Sequence, residues 1–275
     1  MGLDAPVIWC IADTRSRKSI ERQEMKKKKN HRTIARLLLA VSIVMVLYSG
    51  YRLHENSQVY KVGDNSYEEL QNKVRLPVNT PFYSPSSVDF SELQKVNTAA
   101  GAWLYGPDTP IDYPVMEAED YNWYLHHLPD GTYNENGSLF LDFNNPQDFS
   151  GKLNIVYGHN MKSGKMFGSI SNYRKQEYFD QHPYLYLYTE QENYRIDLKY
   201  GCLVSAGEWR DRAFMYERNL DSLLEYADAN TTFLSSARYN SEDRFVVLST
   251  CSYDFDDARY LVIGILRQEN RLGKE

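Results

Sequence analysis

The chain has 275 residues, of which 42% are hydrophobic and 14% aromatic, with 23 tyrosines; this is ample for one or two packed domains and argues against disorder. Its net charge of −6 is unevenly spread, because residues 1–36 hold 10 of the 31 Lys+Arg and 4 of the 37 Asp+Glu, leaving 21 basic against 33 acidic side chains in the rest. An acidic main body argues against a nucleic-acid partner, since phosphate contacts need clustered Lys and Arg.

Taken from the N-terminus, residues 1–24 read as an extension upstream of a start at Met25, because Met25 followed by Lys26, Lys27, Lys28 and Lys29 is a typical opening for a membrane-anchored chain. Pro6 stands where a myristoylation signal needs Ser or Thr, so Met1-Gly2 is not such a signal. Residues 34–51 are 18 in number with Arg36 the only charge, at the short end of the roughly 17–25 that a spanning helix needs. The basic residues before them predict a cytoplasmic N-terminus over 1–33 and an extracellular remainder. A cleaved signal peptide shares the basic start and the apolar core. No small-x-small cleavage site follows, and Tyr51-Arg52-Leu53-His54 stands there instead, so an uncleaved anchor is expected.

Residues 52–88 read as a stem. A helix is expected around 67–74, followed over 76–85 by an extended connector with three prolines in nine residues, which helix interior cannot hold. Asp89 is an N-cap candidate for a helix over 89–96. From Gly101 the pattern becomes strand and turn, with runs at 103–105, 111–116, 138–142, 152–157, 184–189, 194–206, 245–251 and 260–267 between Gly, Pro, Asn and Asp. Eight short strands at this spacing suggest a closed barrel or a sandwich. Helical stretches interrupt them at 166–176 and 219–235, the second with Leu220, Leu223, Leu224 and Ala227 at i, i+3, i+4 and i+7.

Chemistry concentrates at the last two strands. Cys251 ends one, after the polar Ser249 and Thr250, and Arg259 opens the next, beyond an acidic turn with Asp254, Asp256 and Asp257. A thiol and a guanidinium facing each other across a strand pair suit acyl transfer, in which a thiolate attacks a carbonyl while a fixed cation holds the oxyanion. Among six histidines, His159 alone sits in a comparable setting, at the end of the apolar run before Gly158. On position alone, the bland readings stand beside these: a buried inert thiol, a surface-loop histidine, and an arginine paired with the turn's aspartates. Cys202 lies in an apolar run and reads as a buried thiol; a Cys202–Cys251 bridge is open from sequence, though it would consume the one thiol with a catalytic setting. Neither Cys-x-x-Cys nor any His/Cys pair has zinc-ligand spacing, so no metal is implied.

Leu248-Ser249-Thr250-Cys251 followed by Arg259 resembles the Leu-x-Thr-Cys…Arg signature of the sortases, cysteine transpeptidases of Gram-positive cell surfaces. The likeness runs over about 89–268, through Ile111-Asp112-Tyr113-Pro114-Val115, Tyr124-Leu125, Gly137-Ser138-Leu139-Phe140-Leu141-Asp142, Tyr157-Gly158-His159-Asn160-Met161 and His182-Pro183-Tyr184-Leu185. The helical N-terminal extension and the helix over 219–235 resemble class B. The resemblance implies a mainly β fold: an eight-stranded sortase-type barrel over 89–268, a helix inserted before the strand carrying the nucleophile, and a short tail over 269–275. It implies Cys251 as nucleophile, His159 as proton donor and acceptor, Arg259 as oxyanion donor, and Ser249, Thr250 and Leu125 as contacts to the sorting peptide. Relatives often carry Asn four residues before the Leu125 position, where this chain has Tyr121.

The implied reaction cleaves a sorting signal of the Asn-Pro-x-Thr-Asn, Leu-Pro-x-Thr-Gly or Ser-Pro-x-Thr-Gly type after Thr. A thioacyl intermediate then passes to an amine of a peptidoglycan precursor or a pilin subunit. The walls of the acceptor groove are expected from the loops after Tyr188 and Ala206 and the helix near Leu220. No cofactor is implied, and the acidic turn at 254–257 lies in a different loop from the calcium-binding acids of class A. An L,D-transpeptidase would instead show Gly before the cysteine and Arg two residues after it. An anchored binding ectodomain with an inert thiol is the rival from another class.

Overall fold

The computed structural model describes residues 7–76, 87–213 and 216–269. The chain divides into two compact units, Met1–Gln58 and Val59–Glu275. Helix α1 (Val7–Val74) starts in the first. There its apolar stretch, including Leu37, Leu38, Leu39, Val44 and Met45, is exposed, and the helix is long and apolar enough to cross a membrane. The helix takes in the polar residues 52–66 as well, because no proline interrupts the chain between Pro6 and Pro77. Most of the proline-rich connector and most of the tail after 268 lie outside the described residues.

In the second unit, β1 (Arg75–Leu76) and β2 (Ser87–Val88) form a short antiparallel pair. Helix α2 (Phe90–Val96) opens on Asp89, whose carboxylate accepts the Glu92 N–H at 3.1 Å as the cap pattern predicts. The eight expected strands are all present: β3 (Ala100–Tyr105), β4 (Asp112–Glu117), β5 (Leu139–Leu141), β6 (Leu153–Tyr157), β7 (Tyr184–Thr189), β8 (Asn193–Ser205), β9 (Arg244–Cys251) and β10 (Ala258–Gln268). They close into a barrel of order β10-β8-β7-β3-β4-β5-β6-β9, antiparallel except for the parallel pairs β4–β5 and β6–β9.

Alternation along the strands sorts the apolar side chains into layers. Val246 and Leu248 of β9 and Tyr260 and Val262 of β10 fill the barrel interior. Phe245 and Val247, with Leu261, Ile263 and Ile265, face outward beneath helices α4 (Ala206–Ala213) and α5 (Tyr216–Asn230). A bulge opposite Ile263/Gly264 flips β8, so Ile196 and Leu198 point inward while Tyr200, Cys202 and Val204 join the outer layer. A third layer packs Leu70 and Val74 of α1 and Leu93 of α2 on Trp103, Met116 and Phe140.

Helix α5 buries Leu223, Leu224 and Ala227, the stripe its periodicity predicts, with Leu220 packed at the edge. It stops at Asn230, short of the expected 235, because the next residues are drawn onto β8: Thr232 N–H donates to Gly201 O at 2.6 Å and Gly201 N–H to Thr231 Oγ1 at 3.2 Å. The helical stretch expected over 166–176 is instead a 3₁₀ segment, Gly168–Arg174, followed by α3 (Gln176–Gln181). Met166 has φ of +50° and Lys175 is extended, and neither conformation continues an α-helix. The short helices α4 and Trp123–Leu125 carry no periodic signal and were not expected.

Candidate active site

Strands β9 and β10 are joined by a turn that closes with Ser252 N–H donating to Ala258 O at 2.8 Å. Their register pairs Cys251 directly with Arg259. By alternation both side chains lie on the outer face, the side that carries Val247 and Leu261 further along. Cys251 is exposed and Cys202 is buried, and neither is in a disulfide, so the bridge left open by the sequence does not form.

His159 arrives from β6, which runs parallel to β9 with Tyr157 opposite Ser249. Three hydrogen bonds extend the pairing past the strand's end. Gly158 N–H donates to Ser249 O at 3.2 Å, the Thr250 hydroxyl donates to Gly158 O at 2.7 Å, and the Asn160 amide donates to Cys251 O at 2.8 Å. His159 sits between the last two of these, at the level of Cys251. Its Nε2 lies 2.6 Å from Leu125 O, so Nε2–H is the donor there and Nδ1 is left as the acceptor of the neutral ring. Gly137 packs against this contact with φ of +59°; a Cβ there would fall 2.7 Å from both Leu125 O and Tyr124 O and 3.0 Å from His159 Cδ2.

Arg259 donates to Ala258 O at 3.0 Å and, among the described residues, forms no ion pair. Of the three aspartates in the turn, Asp254 is engaged elsewhere. Arg174 grips Asp254 with both guanidinium nitrogens at 2.6 Å and donates to Ser252 Oγ at 2.7 Å. The same guanidinium stacks over the Tyr260 ring at 4.9 Å. These bonds from Arg174, with the Ser252 hydroxyl, lower the Asp254 carboxyl to about 2. The β9–β10 turn is thus pinned to the 3₁₀ segment, and Arg259 keeps donors free for a substrate.

Ser249 and Thr250, expected to contact peptide, are each only 2% exposed. The burial has a simple cause. Thr250 spends its hydroxyl on Gly158 O, and Ser249 Oγ is enclosed without a hydrogen-bond partner, so both side chains lie under the surface. Leu125 is half-buried, and what it brings to the site is its carbonyl. Tyr121 donates to the buried Asp142 at 3.1 Å, as does Tyr157 at 3.0 Å, and its hydroxyl is pushed up to about 12, first by burial and then by the Asp142 charge.

The cleft beside Cys251 is lined by Asn160, Met161, Gly168, Asn172, Arg174 and Tyr253, and a depression on the other side of the turn by Phe255, Asp257 and Arg259. The turn after Tyr188, expected as a wall, is at the opposite end of the barrel. Tyr188 pairs with Asn193, and the adjoining Tyr194 pairs with Gln268, at the far end of β10 from Arg259. Among the described residues, no group of three or more His, Cys, Asp or Glu is placed to hold a metal. An exposed thiol, an imidazole at its level and a guanidinium opposite can together run nucleophilic acyl transfer. The bonds that Asn160 and Arg174 donate and Leu125 O accepts, with the packing of Gly137, hold this arrangement; they are long-range, and periodicity carries no signal of them.

No protein-family model matches the chain. Sortase B of Listeria monocytogenes is 26% identical over 247 residues, covering 85% of this chain and 96% of its own length. A class B sortase of Streptococcus pyogenes involved in pilus biogenesis superposes with a TM-score of 0.60 at 29% identity, over 66% of this chain and 98% of that structure. The sortase B–substrate complex of Staphylococcus aureus shares the fold, with a TM-score of 0.64 at 22% identity over 76% of this chain and 97% of that one. The chain is thus similar to class B sortases along most of its length and shares the closed eight-stranded barrel of their structures.

Proposed function

We propose that the chain is a membrane-anchored transpeptidase that cuts a C-terminal sorting signal after threonine and passes the acyl group to an amine. The carrying observation is the register that sets Cys251 opposite Arg259 while Asn160 ties the segment bearing His159 to the Cys251 carbonyl. In this reading the Cys251 thiol gives its proton to Nδ1 of His159, the thiolate attacks the threonine carbonyl, and Arg259 holds the oxyanion with a planar fork that lysine lacks. His159 protonates the leaving amine as the C–N bond breaks and the thioacyl ester remains. An incoming amine then forms the new C–N bond, gives its proton to His159 and releases Cys251. Leu125, Ser249 and Thr250 act here as supports of this machinery.

Residues 89–268 form the catalytic domain in this reading, 52–88 the stem and 34–51 the anchor, with the N-terminus cytoplasmic and the barrel outside. Sorting-signal proteins are the donors; a peptidoglycan precursor or a pilin lysine is the acceptor. The test is incubation with quenched fluorogenic peptides of the Asn-Pro-x-Thr-Asn, Leu-Pro-x-Thr-Gly and Ser-Pro-x-Thr-Gly types, beside Cys251→Ala. Cleavage of one peptide after threonine, abolished in the variant, is expected. No cleavage of any peptide, with Cys251 unreactive to iodoacetamide in the folded protein, overturns the reading in favour of a binding ectodomain.

A further inference from the structure

Residues 59–74 of α1 grip the two segments that flank His159. Tyr67 is buried, and its hydroxyl donates to Gly137 O at 2.5 Å, with Ser138 Oγ at 3.1 Å. Gly137 is the residue against which the His159 ring and its partner Leu125 O pack. One turn earlier the helix comes close enough to the same loop that a Cβ on Gly63 would meet Asn136 Nδ2 at 2.5 Å and Asn134 Oδ1 at 2.7 Å. Both asparagines are buried and bind the helix backbone, Asn134 donating to Val59 O at 2.9 Å and Asn136 to Tyr60 O at 3.3 Å.

On the other flank, Asp64 pairs with Lys165 at 2.8 Å. Lys165 belongs to the segment that leaves His159 and returns to it, since Phe167 N–H donates to His159 O at 3.0 Å. The Tyr67 ring also meets Tyr113 edge-on at 5.0 Å, and the Tyr113 hydroxyl accepts the Met166 N–H at 3.3 Å.

We propose that the last turns of α1, through Tyr67, Gly63 and Asp64, are positioning residues of the active site: they hold the Gly137 loop and the Lys165 segment so that His159 keeps its Nε2–H on Leu125 O and its free nitrogen toward the reacting atoms. This rests on the reading of His159 as the proton donor and acceptor. A merely structural brace would change stability alone. A positioning role changes the histidine, because the bond to Leu125 O fixes which ring nitrogen carries the proton and how the ring is turned, and its loss frees both.

The test uses the full chain in detergent, with the peptide cleaved by wild type, and compares Tyr67→Phe with wild type and Cys251→Ala. The phenylalanine keeps the ring packing and removes the hydroxyl. A fall in kcat of about tenfold is expected, a fraction of the 10²–10⁴ that general acid–base catalysis supplies, with KM within about twofold. In ¹⁵N-histidine spectra assigned with His159→Gln, the ring signals of His159 should shift from those of the Nε2–H form toward a mixture of tautomers while those of His182 stay. An unchanged kcat with an unmoved His159, whatever happens to the melting temperature, overturns the proposal. If Tyr67→Phe does not fold, Asp64→Asn decides on the same two readouts, with a smaller fall expected and no change overturning it. A wild-type chain that cleaves no peptide refutes the functional reading, whereas an active wild type with an unaffected variant refutes only the positioning role.

Discussion

Gly137 shows how much of the site depends on an atom that is missing. Its φ of +59° lies in the left-handed region, and the space a Cβ would need is taken by two backbone carbonyls at 2.7 Å and the His159 ring edge. A left-handed alanine costs roughly 1–2 kcal/mol from backbone sterics alone, and backbone oxygens cannot swing aside as a long side chain can. The relief available is for the His159 ring and Leu125 to shift. Gly137→Ala is therefore expected to lose about 1–3 kcal/mol in denaturant unfolding. Its turnover should fall by more than its folded fraction, as measured by active-site labelling of Cys251. A variant that melts early yet turns over normally per folded molecule would show that the ring does not depend on this contact.

At the scale of elements, the β9–β10 turn carries the pair Cys251–Arg259, and its rigidity comes from outside the hairpin. Asp254 titrates near 2 because Arg174 bonds it, with Ser252 assisting. A carboxyl depressed in the folded state contributes stability that is fully present above its unfolded value of about 3.9 and lost as pH falls toward 2. The pin is thus complete at neutral pH. Wild type is expected to lose stability more steeply between about pH 4 and 2 than Asp254→Asn, which has no such proton to take up, with thermal melts across that range as the check. At pH 7 the variant should turn over more slowly, because the turn between thiol and guanidinium is freed from the 3₁₀ segment. Equal acid slopes would mean that the ion pair is too well solvated to matter.

The same hairpin marks what was legible in the sequence. Cys251 and Arg259 belong to adjacent strands, so a local reading of apolar runs and a turn brings them face to face. The eight strands and the amphipathic stripe of α5 were legible for the same reason. The neighbour relation between His159 and Cys251 comes from the parallel β6–β9 pair, and its anchoring bond spans 92 residues, from Thr250 to Gly158. Periodicity holds no information about such pairing, so resemblance had to supply it. Ser249 and Thr250, implied by the resemblance as contacts to the peptide, are buried, and a polar cluster at a strand's end does not announce that: one hydroxyl is spent on a neighbouring strand and the other is enclosed.

For the whole molecule, the boundary of the catalytic unit is the consequential question, because the proline-rich stretch invites a cut at Pro77 that would leave the expected domain intact. The packing places the boundary earlier, since the second compact unit begins at Val59. Tyr67, Leu70 and Val74 are buried there, the last two with Leu93, Trp103, Met116 and Phe140. Three large side chains buried at about 1.5–3 kcal/mol each amount to roughly 5–9 kcal/mol, an upper value because an unfolded chain already buries some surface. Domains are stable by only about 5–15 kcal/mol in total. A chain starting at residue 59 is therefore expected to unfold cooperatively near the temperature of the full protein. One starting at residue 77 should be marginal, with reduced near-ultraviolet dichroism and Trp103 open to quenchers, because its ring loses the cover of Leu70 and Val74. Parallel melts of the two chains decide the matter: matching transitions would mean that the helix only lies on the barrel, whereas a large gap would make its last four turns part of the folded domain.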